Sequence, residues 1–306
     1  MSMTLLEQLA QPSGAGTAAL PTYVLITPAR NEAKFIEFTL RSMVEQKYRP
    51  LKWVIVSDGS TDGTDDIVRK YAVENPWIEL LRMPDRAERH FAGKVHAFNA
   101  GYARVKDLQP DVVGNLDADV SIEADHFLYL LSNFAENPGL GVGGSPFREG
   151  SQQYDYRFSN IENVWGGCQL FRRECYEAIG GYTPVKGGGI DHIAVVTARM
   201  KGWKTKTFID KVCIHHRTMN TAQQGVLGAK FKMGAKDYSF GNHPVWEMFR
   251  TLYQTTKYPF LLGGIALGAG YFWSMARRAD ISVSSELVVF TRREQMQRLK
   301  KLIAKA

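Results

Sequence analysis

VSDGSTDGT at residues 56–64 and NLDADV at residues 115–120 decide how this chain is read. In both, an apolar run stops on aspartates. W53-V54-I55-V56-S57 ends at Asp58, and V112-V113-G114-N115-L116 ends at Asp117 and Asp119. Short β-rich runs bounded by turn residues read as buried strands. A run of the same kind, Y23-V24-L25-I26-T27-P28, leads into Ala29, Arg30, Asn31 and Glu32, and I78-E79-L80-L81-R82 makes a further strand. Between these runs the period changes to that of a helix. Ile36, Leu40, Met43 and Val44 form one stripe, residues 62–71 start with an Asp or Thr cap and acids in the first turn, and residues 94–103 continue the alternation. Strand, helix, strand, helix implies an α/β fold: a mostly parallel central sheet flanked by helices on both faces.

Ligands of such sheets bind beyond the carboxyl ends of the strands. Carboxylates placed there can accept hydrogen bonds from a base or ribose, or hold a hard divalent cation shared with phosphates. D-G-S-T-D also makes a good turn and cap, and D-A-D alone says little. The weight comes from order, since three motifs each follow a separate strand. No G-x-G-x-x-G follows the first strand, which argues against a dinucleotide site, and A92-G93-K94-V95 lacks the rest of a P-loop. Cys168, Cys175 and Cys213 show no C-x-x-C spacing, which argues against a disulfide framework or a structural zinc site and fits a reducing cytosol. Residues 1–20 lack a basic segment followed by a long apolar core, so a loosely ordered lead-in is expected rather than a signal peptide.

Residues 23–217 resemble the inverting family 2 glycosyltransferases, which have the GT-A, Rossmann-like nucleotide-sugar-binding fold. The resemblance rests on TPARNE (27–32), VSDGSTDGT (56–64), GKVHAFNAGY (93–102), NLDADV (115–120), GGCQLFRRE (166–174), GGGIDH (187–192) and CIHHR (213–217). It implies a catalytic domain over 21–222, a UDP-sugar donor and a divalent metal, Mg²⁺ or Mn²⁺. Pro28, Ala29, Arg30 and Glu32 would line the nucleotide pocket, Asp58 would receive the uracil N–H, and Lys94 would sit near the diphosphate. Asp117 and Ala118 would contact the nucleotide-sugar, and Asp119 would hold the metal. His215 would complete the metal's coordination, although spacing leaves His216 as an alternative. Asp191 resembles the catalytic base, with Gly189-Ile190 where the family often has a second acid; it could also cap a helix starting near 192. Gln169 and Arg172 would face the acceptor. The reaction implied is inverting transfer to a hydroxyl of a lipid-linked or glycan acceptor in surface polysaccharide synthesis. A polyprenyl-phosphate sugar synthase and a non-catalytic nucleotide-sugar-binding subunit are the alternatives.

Charge separates the last part of the chain. Residues 223–306 carry 13 Lys+Arg against 5 Asp+Glu, so the net charge of +7 lies entirely there and residues 1–222 are left at −1. This tail contains 17 uncharged residues, 260–276, between Lys257 and Arg277-Arg278, and a basic helical stretch over 292–302. Basic flanks around a short apolar segment suit the anionic lipid of an inner leaflet, with the segment lying in the interface at the cytoplasmic face of the membrane. A buried core helix is the alternative. No aromatic-basic module for nucleic acid is recognisable.

Overall fold

The structure is a computed structural model that describes residues 19–84, 92–150, 152–153, 160–185, 187–217 and 225–304. The N-terminal lead-in up to residue 18 lies outside the described residues. The chain runs β1 (Tyr23–Ala29), α1 (Ile36–Val44), β2 (Lys52–Ser57), α2 (Thr64–Glu74), β3 (Ile78–Arg82), α3 (Gly93–Val105), β4 (Val112–Leu116), β5 (Val120–Ser121) and α4 (His126–Glu136). It continues with β6 (Leu140–Gly144), β7 (Phe147–Glu149), β8 (Gln152–Gln153), β9 (Cys168–Arg172), α5 (Arg173–Ala178), α6 (Ile190–Met200), β10 (Lys204–Thr207) and β11 (Cys213–His215). Four helices close it: α7 (Gly225–Ser239), α8 (Pro244–Thr255), α9 (Leu262–Ala276) and α10 (Ser285–Ile303).

Seven strands form the central sheet in the order β10-β6-β9-β4-β1-β2-β3. β9 runs antiparallel to both neighbours, and the remaining pairings are parallel. Because β1 is buried on both faces, its residues divide between two cores. Tyr23 and Leu25 pack with Leu40 and Met43 of α1 and Phe127 of α4; Val24 and Ile26 pack with Val95 and Phe98 of α3 and Val195 of α6. Apolar runs with no polar alternation are what a sheet covered on both sides requires. A small second sheet, β5-β11-β7-β8, lies beyond the carboxyl end of β4 and carries the CIHHR segment on β11.

The tail is helical, and it docks. Helices α7 and α9 cross with backbones in contact: a Cβ on Gly234 would fall 1.9 Å from the Leu267 carbonyl oxygen, and one on Gly270 would fall 1.9 Å from that of Phe231. Only glycine permits that approach. The 17-residue apolar segment therefore becomes a 15-residue helix with Gly264, Leu267, Gly268, Tyr271 and Ser274 buried. Among the described residues no helix is long and apolar enough to cross a membrane. The basic stretch 292–302 lies on α10, which buries Leu287, Thr291, Gln295 and Leu299 and ties Glu294 to Arg199 of α6 at 2.7 Å. Arg292 donates to the Gly241 carbonyl at 2.9 Å and Arg298 pairs with Glu162 and Glu294, so two of the five basic residues of that stretch are engaged by the protein itself.

Candidate active site

β4, β1 and β2 are adjacent and parallel, so the residues that follow them emerge side by side. The Asp58 N–H donates to the Ala29 carbonyl at 2.8 Å, and Arg30 Nη1 lies 3.7 Å from Asp58 Oδ2. The loop after β1 is held open by the second motif. Thr61 N donates to Asn31 Oδ1 (2.9 Å), Glu32 N to Thr64 Oγ1 (2.8 Å) and Ala33 N to Asp62 Oδ2 (3.0 Å). Asp62 also accepts from Thr64 N at 3.1 Å, and it anchors the first turn of α2 although Gly63 occupies the cap position. DGSTD thus divides its work. Asp58 faces the strand ends, and Asp62 holds the neighbouring loop in place.

Lys94, at the start of α3, meets the D-x-D segment. Its Nζ donates to Asp117 Oδ1 at 2.6 Å. Burial would lower the lysine's pKa, but Asp117, with Asp191 and Asp119 further away, outweighs it and holds the pKa above the ordinary value. The two carboxylates of the D-x-D segment and a third from a distant part of the sequence therefore act on one ammonium. Asn115 Nδ2 donates to Asp117 Oδ1 (2.8 Å) and to the Gly166 carbonyl (2.5 Å), and the Gly166 N–H donates to Asp191 Oδ2 (3.2 Å). Asp191 is not the cap of α6. That position is Gly189, in the left-handed region at φ +97°, which leaves the Asp191 carboxylate in the first turn, facing Gly166.

Asp119 is buried, and one of its two carboxylate oxygens is engaged. Its Oδ2 accepts from Arg217 Nε at 2.9 Å and lies 3.4 Å from His215 Nε2. Burial opposes the charged form of Asp119, yet His215 and Arg217 together hold its pKa below the usual carboxylate range. Arg217 also pairs with Glu32. Burial pushes Glu32 up to about 7, with the Asp119 and Asp117 charges adding to the rise and Arg217 opposing it. His215 Nδ1 lies 2.6 Å from Glu149 Oε1; burial would lower this histidine, and the two carboxylates raise it. His216 turns elsewhere, with Nε2 2.8 Å from Ser121 Oγ and its ring stacked on Phe38 at 4.5 Å. Of the two histidines, the structure brings His215 to Asp119. One carboxylate oxygen beside an imidazole nitrogen is a donor set that suits Mn²⁺ or Mg²⁺.

Most of the candidate residues meet around this cluster, and two do not. Gln169 is fully buried on β9; its Nε2 donates to the Val164 carbonyl (3.0 Å) and its Oε1 accepts from Tyr182 (2.6 Å). Arg172 pairs in register with Val112 at the opposite end of β4 from Asp117, and its guanidinium binds the Leu140, Phe134 and Asn137 carbonyls. The expectation that this pair faces an acceptor is corrected: both are internal ties of a central strand. Pro28, Ala29 and Ala118 lie at the floor, with Ala29 and Ala118 buried and the Ala118 carbonyl taken by Thr39 Oγ1 at 2.9 Å. Three contributors had no assigned role in the sequence reading. Arg217 stood within CIHHR, Asn115 within NLDADV, and Glu149 on a strand too short to leave a signal.

The comparisons with known proteins agree with this geometry. Residues 24–185, more than half of the chain, match the family described as Glycosyl transferase family 2. The chain belongs to glycosyl transferase family 2. It is 34% identical over 117 residues to the poly-beta-1,6-N-acetyl-D-glucosamine synthase of Staphylococcus aureus (strain COL), over 38% of this chain and 26% of that enzyme. It is 31% identical over 150 residues to the probable glycosyltransferase YdaM of Bacillus subtilis (strain 168), over 47% of this chain and 34% of that protein. The matches thus span only a quarter to a third of these relatives. Among solved structures, the mannosyltransferase PcManGT from Pyrobaculum calidifontis, in complex with GDP-Man and Mn²⁺, aligns over 98% of this chain and 86% of its own at a TM-score of 0.57 and 19% identity. S. aureus TarS 1-349 aligns over 84% of this chain and 73% of its own at a TM-score of 0.53 and 15% identity. These likenesses place the family 2 domain in the GT-A fold.

Proposed function

We infer that this enzyme moves a sugar from a UDP-sugar to a hydroxyl of a lipid-linked or glycan acceptor, with inversion, in the synthesis of a surface polysaccharide. The observation that carries this reading is geometric: Lys94 Nζ donates to Asp117 at 2.6 Å, and Asn115 and the Gly166 peptide link Asp117 to Asp191. Arg30 and Asp58 bind the nucleoside end, and Asp117 orients the ribose or sugar while Lys94 meets the diphosphate. Asp119 and His215 would hold the divalent ion, which supplies positive charge to the departing diphosphate. Asp191 takes the acceptor's proton as its oxygen attacks the anomeric carbon, and a single displacement requires no protein nucleophile. The likeness to a poly-N-acetylglucosamine synthase and to TarS, which has been solved with UDP-GlcNAc, supports the surface-glycan assignment.

The acceptor side lies at a membrane in this reading. Val245, Met248 and Leu252 of α8 and Phe260, Leu261, Leu262, Ile265 and Trp273 around α9 are all exposed, and Lys257, Arg277 and Arg278 border them. An apolar patch rimmed by cations suits an anionic lipid surface, here the cytoplasmic face of the inner membrane. The donor assignment is tested by UDP or GDP release from a panel of UDP- and GDP-sugars, with and without Mn²⁺. Release from a UDP-sugar that chelation abolishes supports it; turnover of GDP-sugars alone, or turnover indifferent to chelation, overturns the donor or the metal.

A further inference from the structure

Three soft donors meet inside the core, away from the lysine-centred cluster. His126 opens α4, Cys168 opens β9 and Cys213 opens β11, and all three are fully buried. The Cys168 and Cys213 Sγ atoms each lie 3.8 Å from His126 Nε2, and the three donor atoms lie within 4.8 Å of one another. His126 Nδ1 is buried with no hydrogen-bond partner, so the two thiols are the ring's polar neighbours at Nε2. A tetrahedral ion with metal–sulfur bonds of about 2.3 Å and metal–nitrogen bonds of about 2.0 Å holds adjacent donors roughly 3.5–3.8 Å apart. The 3.8 Å from each sulfur to the nitrogen lies within a few tenths of an ångström of that arrangement. Charge points the same way, since two thiolates, a neutral imidazole and a divalent cation sum to zero, the form least costly to bury.

We propose that His126, Cys168 and Cys213 form a structural site for a thiophilic divalent cation of the Zn²⁺ type, distinct from the ion held by Asp119. Binding releases the two thiol protons and places the cation among two sulfurs and one nitrogen. Because every donor is sealed from solvent, loading accompanies folding. The missing C-x-x-C spacing, which argues against a structural zinc site in the sequence, bears only on sites built from one local motif; here the ligands come from three elements, with Cys168 and Cys213 lying 42 and 87 residues beyond His126. The site would tie together two strands that flank the candidate active site. The Gly167 carbonyl just before β9 accepts from Asp117 N at 2.8 Å, and β11 carries His215.

The test uses the full chain produced in minimal medium with Co²⁺ replacing Zn²⁺, then dialysed against excess Mg²⁺ so that any oxygen-rich site is stripped of cobalt. Retention of about one Co²⁺ per chain with a thiolate-to-cobalt charge-transfer band is expected, together with loss of that band in Cys213→Ala. Folded protein that binds UDP yet retains no cobalt and shows no thiolate band overturns the proposal. The wild-type spectrum decides even if the variant fails to fold. UDP binding, read separately, keeps this outcome apart from failure of the glycosyltransferase site.

Discussion

Asp117 and Asp191 are joined through the peptide of a single glycine. Gly166 donates its N–H to Asp191 Oδ2, and its carbonyl accepts from Asn115 Nδ2, which also donates to Asp117 Oδ1. The residue proposed to orient the donor sugar and the residue proposed to activate the acceptor are thereby kept in register by backbone. A Cβ at position 166 would stand 2.6 Å from Asp191 Cβ and 2.8 Å from its Oδ2. Gly166→Ala is therefore expected to displace the base without touching the nucleotide. Misplacement of that kind costs about 10- to 100-fold in rate. Steady-state kinetics should show it in kcat, with UDP affinity kept. An unchanged kcat would mean that this linkage has no part in transfer.

Arg217 and a metal ion would share one carboxylate. Arg217 Nε occupies Asp119 Oδ2 at 2.9 Å, beside His215. Replacing it in Arg217→Ala removes a positive charge from the metal's side of Asp119. Mn²⁺ affinity in the absence of nucleotide should rise roughly fivefold, about 1 kcal/mol. Titration of the free enzyme by calorimetry checks this, and equal or weaker binding would show that the ion does not use Asp119.

Acid stability should carry the mark of His192. Burial against Phe240, whose ring stacks at 5.7 Å, lowers this histidine from 6.5 to about 4. The folded pKa lies below the unfolded one, so the unfolded chain takes up the proton first. Stability is complete above about 6.5 and is lost as pH falls toward 4. The loss is at most about 3.5 kcal/mol, since each unit of pKa is worth roughly 1.4 kcal/mol. Denaturant melts from pH 7 to 4 should fall more steeply for the wild type than for His192→Gln. Parallel curves would contradict the assignment.

The exposed rim of α8 and α9 can be challenged directly. Phe260→Glu with Trp273→Glu removes two exposed aromatics of the patch. Partitioning onto vesicles containing phosphatidylglycerol should drop about tenfold or more, given roughly 1.5–3 kcal/mol for each large side chain buried. Partitioning that is indifferent to both changes, or to the anionic lipid, would remove the membrane from the account.

The sheet was legible wherever burial left an unbroken apolar run. β1, β2, β3 and β4 appear within a residue of their expected positions, and the acids follow them as required. C168-Q169-L170-F171-R172 was not legible as a central strand, because its two polar side chains suggested a ligand wall. Inside the fold both satisfy buried main-chain groups, a role that leaves no local pattern. Asp191 was found through the resemblance carried by GGGIDH, but its partner, the peptide of Gly166, is a tertiary contact that no spacing encodes. The same holds for Glu149 beside His215. The apolar stretch 260–276 was ambiguous for a physical reason: its glycines serve helix–helix contact while its large side chains face outward.

The central claim is that these separated aspartates serve one reaction in different roles. It is tested most directly by measuring UDP binding and UDP release side by side for Asp191→Asn, with membrane extract as the acceptor source. The account predicts near wild-type UDP affinity and transfer reduced by about 10²- to 10⁴-fold, the usual contribution of a general base. Full turnover in Asp191→Asn would contradict it and would favour an acceptor phosphate that needs no base.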